Sequence, residues 1–586
     1  MIKFKKHYLF FIFYFLVAII ETFPLILNLD GYLIGRGGLD GFYYLWNIFS
    51  FWNSVSHFQQ FFSTKLIFFP IGANLFFSDY SPLTSLFSLP FLNHPAFYLN
   101  ILIILSLTAA AIIVFFLAEY ITKNHVVSFL SGLIYGFSPI QGSFIMSQHY
   151  YYSIASVILP LGVLFLLKFF NSPKKYLKTF LFLCWVMFFI NYYFFVLLIL
   201  ISILQVINLL IFDPEVRKKI FSKSNLVYYL MSFLLIIYIP MLIILAMIFT
   251  SKDSLTFIDK KSSFTIYCNA NIAGLITFPR NNLFLSPVSS KLYSFFRFQE
   301  NADTPYYYLG IVSLAYVFLC LVYFRKERYV ISFAITATII LLFSLGSQVR
   351  FGSATLLSNN QTVYYWISKI PFLGLIDCPV RFIGGVELFF SLIIAIFIVQ
   401  ILKRSQSIAR FLIVLLFFST IFDYGFPRFE FIKIYIPEVY HYIAGIKDNK
   451  TVLELPSGLT ESKGAFGYDR SEEGLHTKMM YWETVYKKPR VGGYISRIPQ
   501  STYDYFIKED IISDLFKLTS YNGTWSNKQF SVQEKNKFIN DLNLGYIIIA
   551  PVARQLEYLS AIEQVLQGIP YEKMIIEKYI LFIIRK

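Results

Sequence analysis

Apolar runs of about 17–25 residues, the length that crosses hydrocarbon as a helix, recur along this chain from residue 8 to residue 426. They fall near 8–28, 97–120, 126–144, 153–171, 179–192, 194–212, 226–249, 305–324, 329–346, 383–402 and 410–426. Within lipid every backbone N–H and C=O must find its partner inside the segment, so runs like these are restricted to helices. Of 586 residues, 57% are apolar and 14% charged, too little charge to cover a soluble protein of this size. The expectation is a polytopic α-helical membrane protein with about 11 spans. Around Asn191 two readings stand: two spans, or one long helix with a re-entrant piece.

The formal charge of +16 would suggest nucleic acid in a soluble chain, but its placement argues otherwise. Basic clusters at Lys3, Lys5 and Lys6, Lys174, Lys175 and Lys178, Arg217, Lys218, Lys219 and Lys223, Arg325, Lys326 and Arg328, and Lys403, Arg404 and Arg410 all occupy short gaps between apolar runs. That is the pattern of cytoplasmic loops, and no nucleic-acid partner is expected. Lys5 and Lys6 precede the first run without a small-residue cleavage site after it, which reads as an uncleaved signal anchor. An N-terminus in the cytoplasm then puts every basic cluster inside. The longer segments 29–96, 250–304, 347–382 and the tail from 427 fall outside. The expected location is the plasma (inner) membrane, with membrane lipids as surroundings.

The tail, 427–586, changes character. It carries ordinary charge, a turn signal at Gly492–Gly493 and short β-branched runs at 451–455 and 546–550, while 553–567 has helical apolar spacing. It reads as an extracytoplasmic α/β domain following a membrane domain of residues 1–426. Four cysteines show no metal spacing. Cys184 and Cys320 fall in spans. Cys268 and Cys378 share the outer side, and whether they pair is left open.

In the first outer loop, residues 42–58 put Asn47, Ser50, Asn53 or Ser54, and His57 on one side of an otherwise aromatic helix. This suits a helix lying in the membrane interface, or one packed against the other spans with its polar strip toward a cavity. Asp40, in Gly37-Gly38-Leu39-Asp40-Gly41, precedes it. Asp40 reads as a helix N-cap, as a partner of Arg36, or as a working acid at a loop whose glycines allow close ligand approach. Asp79 reads as an N-cap or as a second acid. The pair suits a general base with its partner, or two ligands of a divalent cation.

His149 lies on a short outer turn among tyrosines, as part of an interfacial belt or as a donor to phosphate or sugar. Arg381, at the outer start of a span, is either a snorkelling arginine paired with Asp377 or a fork for phosphate oxygens. Glu300 reads as a solvated loop acid or a substrate contact. No P-loop, dinucleotide fingerprint, zinc spacing or nucleophile elbow is present in a fitting context. No charge is expected deep in the spans, which argues against an ion-driven transporter.

Taken in order, several short motifs resemble the GT-C superfamily of integral-membrane glycosyltransferases, and within it a broad set of bacterial GT-C-like proteins. They are Asp40, then Leu45-Trp46-Asn47, Phe69-Pro70-Ile71-Gly72 and Ser81-Pro82-Leu83. Next come 136–140 leading to His149, Tyr308-Leu309-Gly310 after Glu300, and Pro379-Val380-Arg381-Phe382; in the tail, 453–458 and 491–499 follow. The resemblance implies a GT-C membrane domain and transfer of a sugar from a polyprenyl-phosphate carrier at the outer leaflet. It also implies Asp40 as catalytic acid–base residue with Asp79 beside it, and Arg381 and His149 toward the lipid phosphate. Where related sequences place an acid, this chain has Asn271, which bears on any divalent cation. The acceptor implied is a glycan, a lipid or a protein. Two other classes remain in view: a lipid or glycan transporter, and a non-catalytic cell-envelope assembly protein.

Overall fold

The computed structural model describes residues 7–36, 40–76, 78–214, 217–218, 222–250, 268–297, 300–301, 304–370, 376–425, 427–461, 464–466, 474–520, 523–525 and 528–585. The basic clusters at Lys3, Lys5 and Lys6 and at Lys219 lie outside these. The chain divides into two compact units. One holds residues 1–36, 96–241 and 263–432; the other holds 37–95, 242–262 and 433–586.

The first unit is helical. Among the described residues five helices are long and apolar enough to cross a membrane: Pro95–Thr122, Tyr150–Asn171, Tyr192–Phe212, Pro379–Arg404 and Gln406–Tyr424. Shorter apolar helices include Tyr8–Glu21, Ile311–Phe324 and Val330–Ser344. Helix Ile383–Arg404 is enclosed along most of its length, whereas Gln406–Tyr424 turns Ile408, Phe411, Val414, Phe418 and Phe422 outward. An outward face of that kind is what acyl chains cover. Inside the unit, Gln205 and Asn208 donate to Thr336, and Ser332 donates to Gln205, the polar pairing that fastens helices where hydrophobicity cannot.

One of the expected runs is built differently. Residues 126–144 form two helices, His125–Gly136 and Pro139–Met146. Pro139 lacks an N–H and drives Ser138 into extended backbone, so one helix ends there and another starts. Residues 179–212 are also two helices, Pro173–Ile190 and Tyr192–Phe212. Asn191 Oδ1 accepts from the Phe194 N–H at 3.1 Å and caps the second. A disulfide joins Cys268 to Cys378.

The second unit joins the first-loop segment to the tail. Four tail strands form one sheet: β1 (Thr451–Leu455), β2 (Leu544–Ile549), β3 (Tyr571–Ile576) and β4 (Tyr579–Ile584), in the order β3-β4-β2-β1. β2 is parallel to β1 and antiparallel to β4. Both β1 and β2 are buried along their whole length, as unbroken apolar strands should be when covered on both faces. Helix Gln555–Leu566 follows β2, and Leu475–Tyr486 contributes Met479, Trp482 and Tyr486 to the core with Val452 and Ile548.

The first-loop helix, Gly41–Ser56, packs on Leu475–Tyr486 within this unit. Residues Phe42 to Ile48 are all buried. Its aromatic side therefore meets protein, not acyl chains, which corrects the interfacial-helix expectation; the aromatic periodicity fits either partner equally. Of its polar strip, Asn47, Ser50 and Ser54 are buried, and only the far end at His57 is exposed.

Candidate functional site

Two clusters gather the candidate residues, one inside each unit. In the second unit Asp40 occupies the N-cap position of Gly41–Ser56, yet its side chain makes no capping hydrogen bond. Its Oδ1 instead accepts from the Tyr494 hydroxyl at 2.8 Å. Asp79 is likewise not a cap. The cap of helix Pro82–Phe87 is Ser81, which accepts from the Thr84 N–H. Asp79 Oδ2 accepts from the Tyr44 hydroxyl at 2.6 Å. Its backbone carbonyl accepts from Asn47 at 3.1 Å, and its N–H donates to Ser496 Oγ at 3.0 Å.

Tyr43, Tyr44 and Asn47 lie on consecutive turns of one helix, so their polar tips reach the Ser78–Asp79 turn together. Tyr43 and Ser78 share a hydrogen bond of 2.5 Å, and the Ser496 N–H donates to Ser78 Oγ at 3.1 Å. Tyr43 meets Tyr494 edge-on, 5.3 Å between ring centroids. Both carboxylates act on both of these phenols: burial raises the hydroxyl pKa values of Tyr43 and Tyr494, and the charges of Asp40 and Asp79 raise them further. At neutral pH the two hydroxyls therefore keep their protons. Asp40 and Asp79 themselves are only half-buried.

In the first unit Arg381 sits in the helical turn Pro379–Phe382, 8% exposed. Its guanidinium lies 4.4 Å from the Tyr152 ring centroid and 5.2 Å from that of Tyr193. Nη1 donates to the Tyr152 hydroxyl, and Nη2 lies 3.3 Å from His149 Nε2. The Asp377 N–H donates to the Tyr193 hydroxyl at 3.0 Å. His149 is itself buried, just before helix Tyr150–Asn171. Neither residue belongs to an exposed interfacial belt; both are buried among tyrosines. Aromatic faces hold a cation by its charge while using few of its donors.

Glu300 is not a solvated loop acid. It is mostly buried, with Arg280 Nε at 3.5 Å and Arg36 Nη2 at 3.8 Å. Burial raises its pKa, against the pull of both arginines. Arg36 also lies 4.0 Å from Glu430.

Asn271 is a buried cross-link. Its Oδ1 accepts from the Ala273 N–H at 3.0 Å and the Gly352 N–H at 2.9 Å, and its Nδ2 donates to the Gly352 carbonyl at 2.7 Å. Both lone pairs of that oxygen are used, so Asn271 does not fit a cation ligand or a substrate contact. It fastens the hairpin Gln348–Phe351 and Ala354–Ser358 to helix Ile272–Ile276. Among the described residues Asp40 and Asp79 do not belong to any group of three metal-ligating side chains.

Three features escaped the sequence. Tyr494 and Ser496 stand in 491–499, whose glycines announce a turn but not its proximity to residue 40. Glu387 is buried within helix Ile383–Arg404, beside Ser138, Tyr135 and Tyr424, so a carboxyl does lie within a long apolar helix. Finally, Arg490 lies 2.7 Å from Glu454 in a fully buried pair, with Glu483 close enough to feel both charges. A glutamate inside the apolar strand Thr451–Leu455 was the available signal, because a buried charge needs a partner.

The chain matches no family model and no curated protein. It is similar to the solved structure of ArnT from Cupriavidus metallidurans bound to undecaprenyl phosphate, with TM-score 0.49, 10% identity and 97% of each chain covered. It is also similar to the oligosaccharyltransferase of Archaeoglobus fulgidus, with TM-score 0.48 and 10% identity, over 97% of this chain and 73% of that one. The same archaeal enzyme, AglB, in complex with an inhibitory peptide and a dolichol-phosphate gives 0.41 at 9% identity. At this distance the likenesses leave the choice of acting residues to the geometry above.

Proposed function

We propose that this protein is an inverting glycosyltransferase that moves a sugar from a polyprenyl-phosphate carrier to an acceptor at the outer face of the membrane. The observation that carries the reading is Asp40. It stands at a helix N-terminus without being spent as its cap, half-buried, on a tyrosine hydroxyl. A carboxylate so placed is oriented by that donor and, with two acceptor oxygens, has the capacity to take a hydroxyl proton.

In the reaction Asp40 takes the proton of the acceptor hydroxyl as that oxygen attacks the anomeric carbon. The bond from that carbon to the phosphate oxygen breaks, and the polyprenyl phosphate leaves with the electron pair. Asp79 supports the base from the adjacent turn. Arg381 binds phosphate charge that grows on the leaving group, with His149 as a second donor, the usual service of preorganised cations to a leaving anion. About 11 spans, an inside N-terminus and an extracytoplasmic tail belong to this reading, and the tail is a natural place to hold the acceptor.

The test is transfer of radiolabelled sugar from a polyprenyl-phosphate donor in membranes holding wild type, Asp40→Asn or Arg381→Ala. Each substitution is expected to lower transfer by about 10²-fold or more. Undiminished transfer by Asp40→Asn would remove the proposed base. No transfer with any donor, alongside intact folding, would favour the transporter or assembly readings.

A further inference from the structure

At one end of the first unit, three side chains of metal-ligating type converge from three helix ends. His7 immediately precedes helix Tyr8–Glu21, Glu119 lies in the last turns of Pro95–Thr122, and His125 opens His125–Gly136. Each offers one ligand atom, and these atoms all lie within 4.8 Å of one another. His125 Nδ1 is 2.9 Å from Glu119 Oε1, and the two imidazole rings are 4.5 Å apart between centroids. We propose that His7, Glu119 and His125 bind a divalent transition-metal ion of the zinc type.

Two nitrogens and one carboxylate are a common zinc donor set, bound at about 2.0–2.2 Å, which puts the ligand atoms of a tetrahedral site roughly 3.3–3.5 Å apart. Here the His125–Glu119 spacing of 2.9 Å is somewhat shorter, and no pair of ligand atoms is more than 4.8 Å apart.

A plain His125–Glu119 pair would account for two of the three residues and leave His7 unexplained. His7 is 5% exposed, and among the described residues its Nδ1 has no hydrogen-bond partner. Phe115 and Phe11 flank its ring at 5.1 Å and 6.3 Å, so the imidazole is fixed in an apolar wall with a polar atom to satisfy. Protonation of both rings would set like charges against each other, while a shared cation takes a lone pair from each neutral ring. Glu119 offsets part of the ion's charge, and the half-exposed His125 leaves a fourth position open to water. The bound ion would staple the start of the first span to the connection between the two helices that follow.

The experiment is zinc retention by the purified, detergent-solubilised full chain, produced without a histidine tag. Protein equilibrated with Zn²⁺ and desalted is assayed for metal by mass spectrometry, with Co²⁺ in parallel for the absorption of a tetrahedral site. Wild type is expected to retain one zinc per chain. Retention should fall at least about tenfold in His7→Phe, since even the outer partners of metal ligands are worth that much. His125→Asn, at the half-exposed position, should lose it likewise and keeps the test decisive if His7→Phe does not fold. Zinc retained equally by wild type and both variants, or by none of them, would overturn the assignment.

Discussion

The second unit holds two pairs of acids, and they are treated in opposite ways. Glu454 and Glu483 are buried completely around Arg490, while Asp40 and Asp79 are half-buried and each rests on a tyrosine hydroxyl. Burial raises the pKa of both glutamates; Arg490 opposes this, and Trp46 donates to Glu483 at 3.2 Å. One arginine cannot balance two carboxylates, so Glu454, in direct contact, carries the charge and Glu483 keeps its proton. Such a group is closed to a substrate. The aspartates accept from neutral donors and stay partly exposed, the condition a general base requires. What each acid is bonded to therefore matters more than its being an acid in this unit.

The contrast can be attacked from its structural side first. Arg490→Ala leaves Glu454 charged and buried without its cation, and should cost about 3–5 kcal/mol in unfolding free energy. Loss of transfer in this variant should track loss of folded protein. Little change in the unfolding midpoint would erase the distinction between the two pairs.

Trp46→Phe removes the donor to Glu483 while keeping most of the ring. The expected cost is about 1–3 kcal/mol, that of an orphaned buried acceptor, read by chemical denaturation. Because Trp46 shares a helix with Tyr43 and Tyr44, this variant also reports how firmly the tail fixes the first-loop helix.

Glu483→Gln sharpens the comparison through pH. The folded pKa of Glu483 lies well above the ordinary 4.5, so the folded state holds a proton that the unfolded state releases. Stability from this group is complete below the ordinary carboxyl range and declines as pH rises toward the folded pKa. A glutamine, which has no proton to lose, would remove that decline and flatten the stability profile at pH values above the ordinary carboxyl range. An unchanged pH profile would mean that Glu483 is ionised in the fold.

Tyr494→Phe should have the smallest effect. It deletes the hydroxyl that orients Asp40 and is expected to lower transfer by about tenfold or less, the net worth of one typical hydrogen bond. The unfolding midpoint should barely move.

Much of the fold was legible. Run length marked helices long and apolar enough to cross a membrane, and β-branched runs at 451–455 and 546–550 became β1 and most of β2. What stayed hidden were pairings between distant residues. Nothing local in 42–58 distinguishes an aromatic face meant for lipid from one meant for Leu475–Tyr486. At the sites, the residue types at 40, 79, 149 and 381 were visible, and the His149–Arg381 contact follows from their geometry but not from a separation of 232 residues. Glu300 and Asn271 looked equally open to substrate, and only their partners show them to be an arginine-held acid and a backbone clamp.

The central claim is that Asp40 is a base and not a cap. Serine caps a helix N-terminus about as well as aspartate but cannot take the acceptor's proton. Sugar transfer by Asp40→Ser, measured beside its unfolding midpoint, separates the roles directly. The account predicts a midpoint near wild type with transfer reduced by about 10²–10⁴-fold. Transfer at the wild-type rate in a folded Asp40→Ser protein would contradict it.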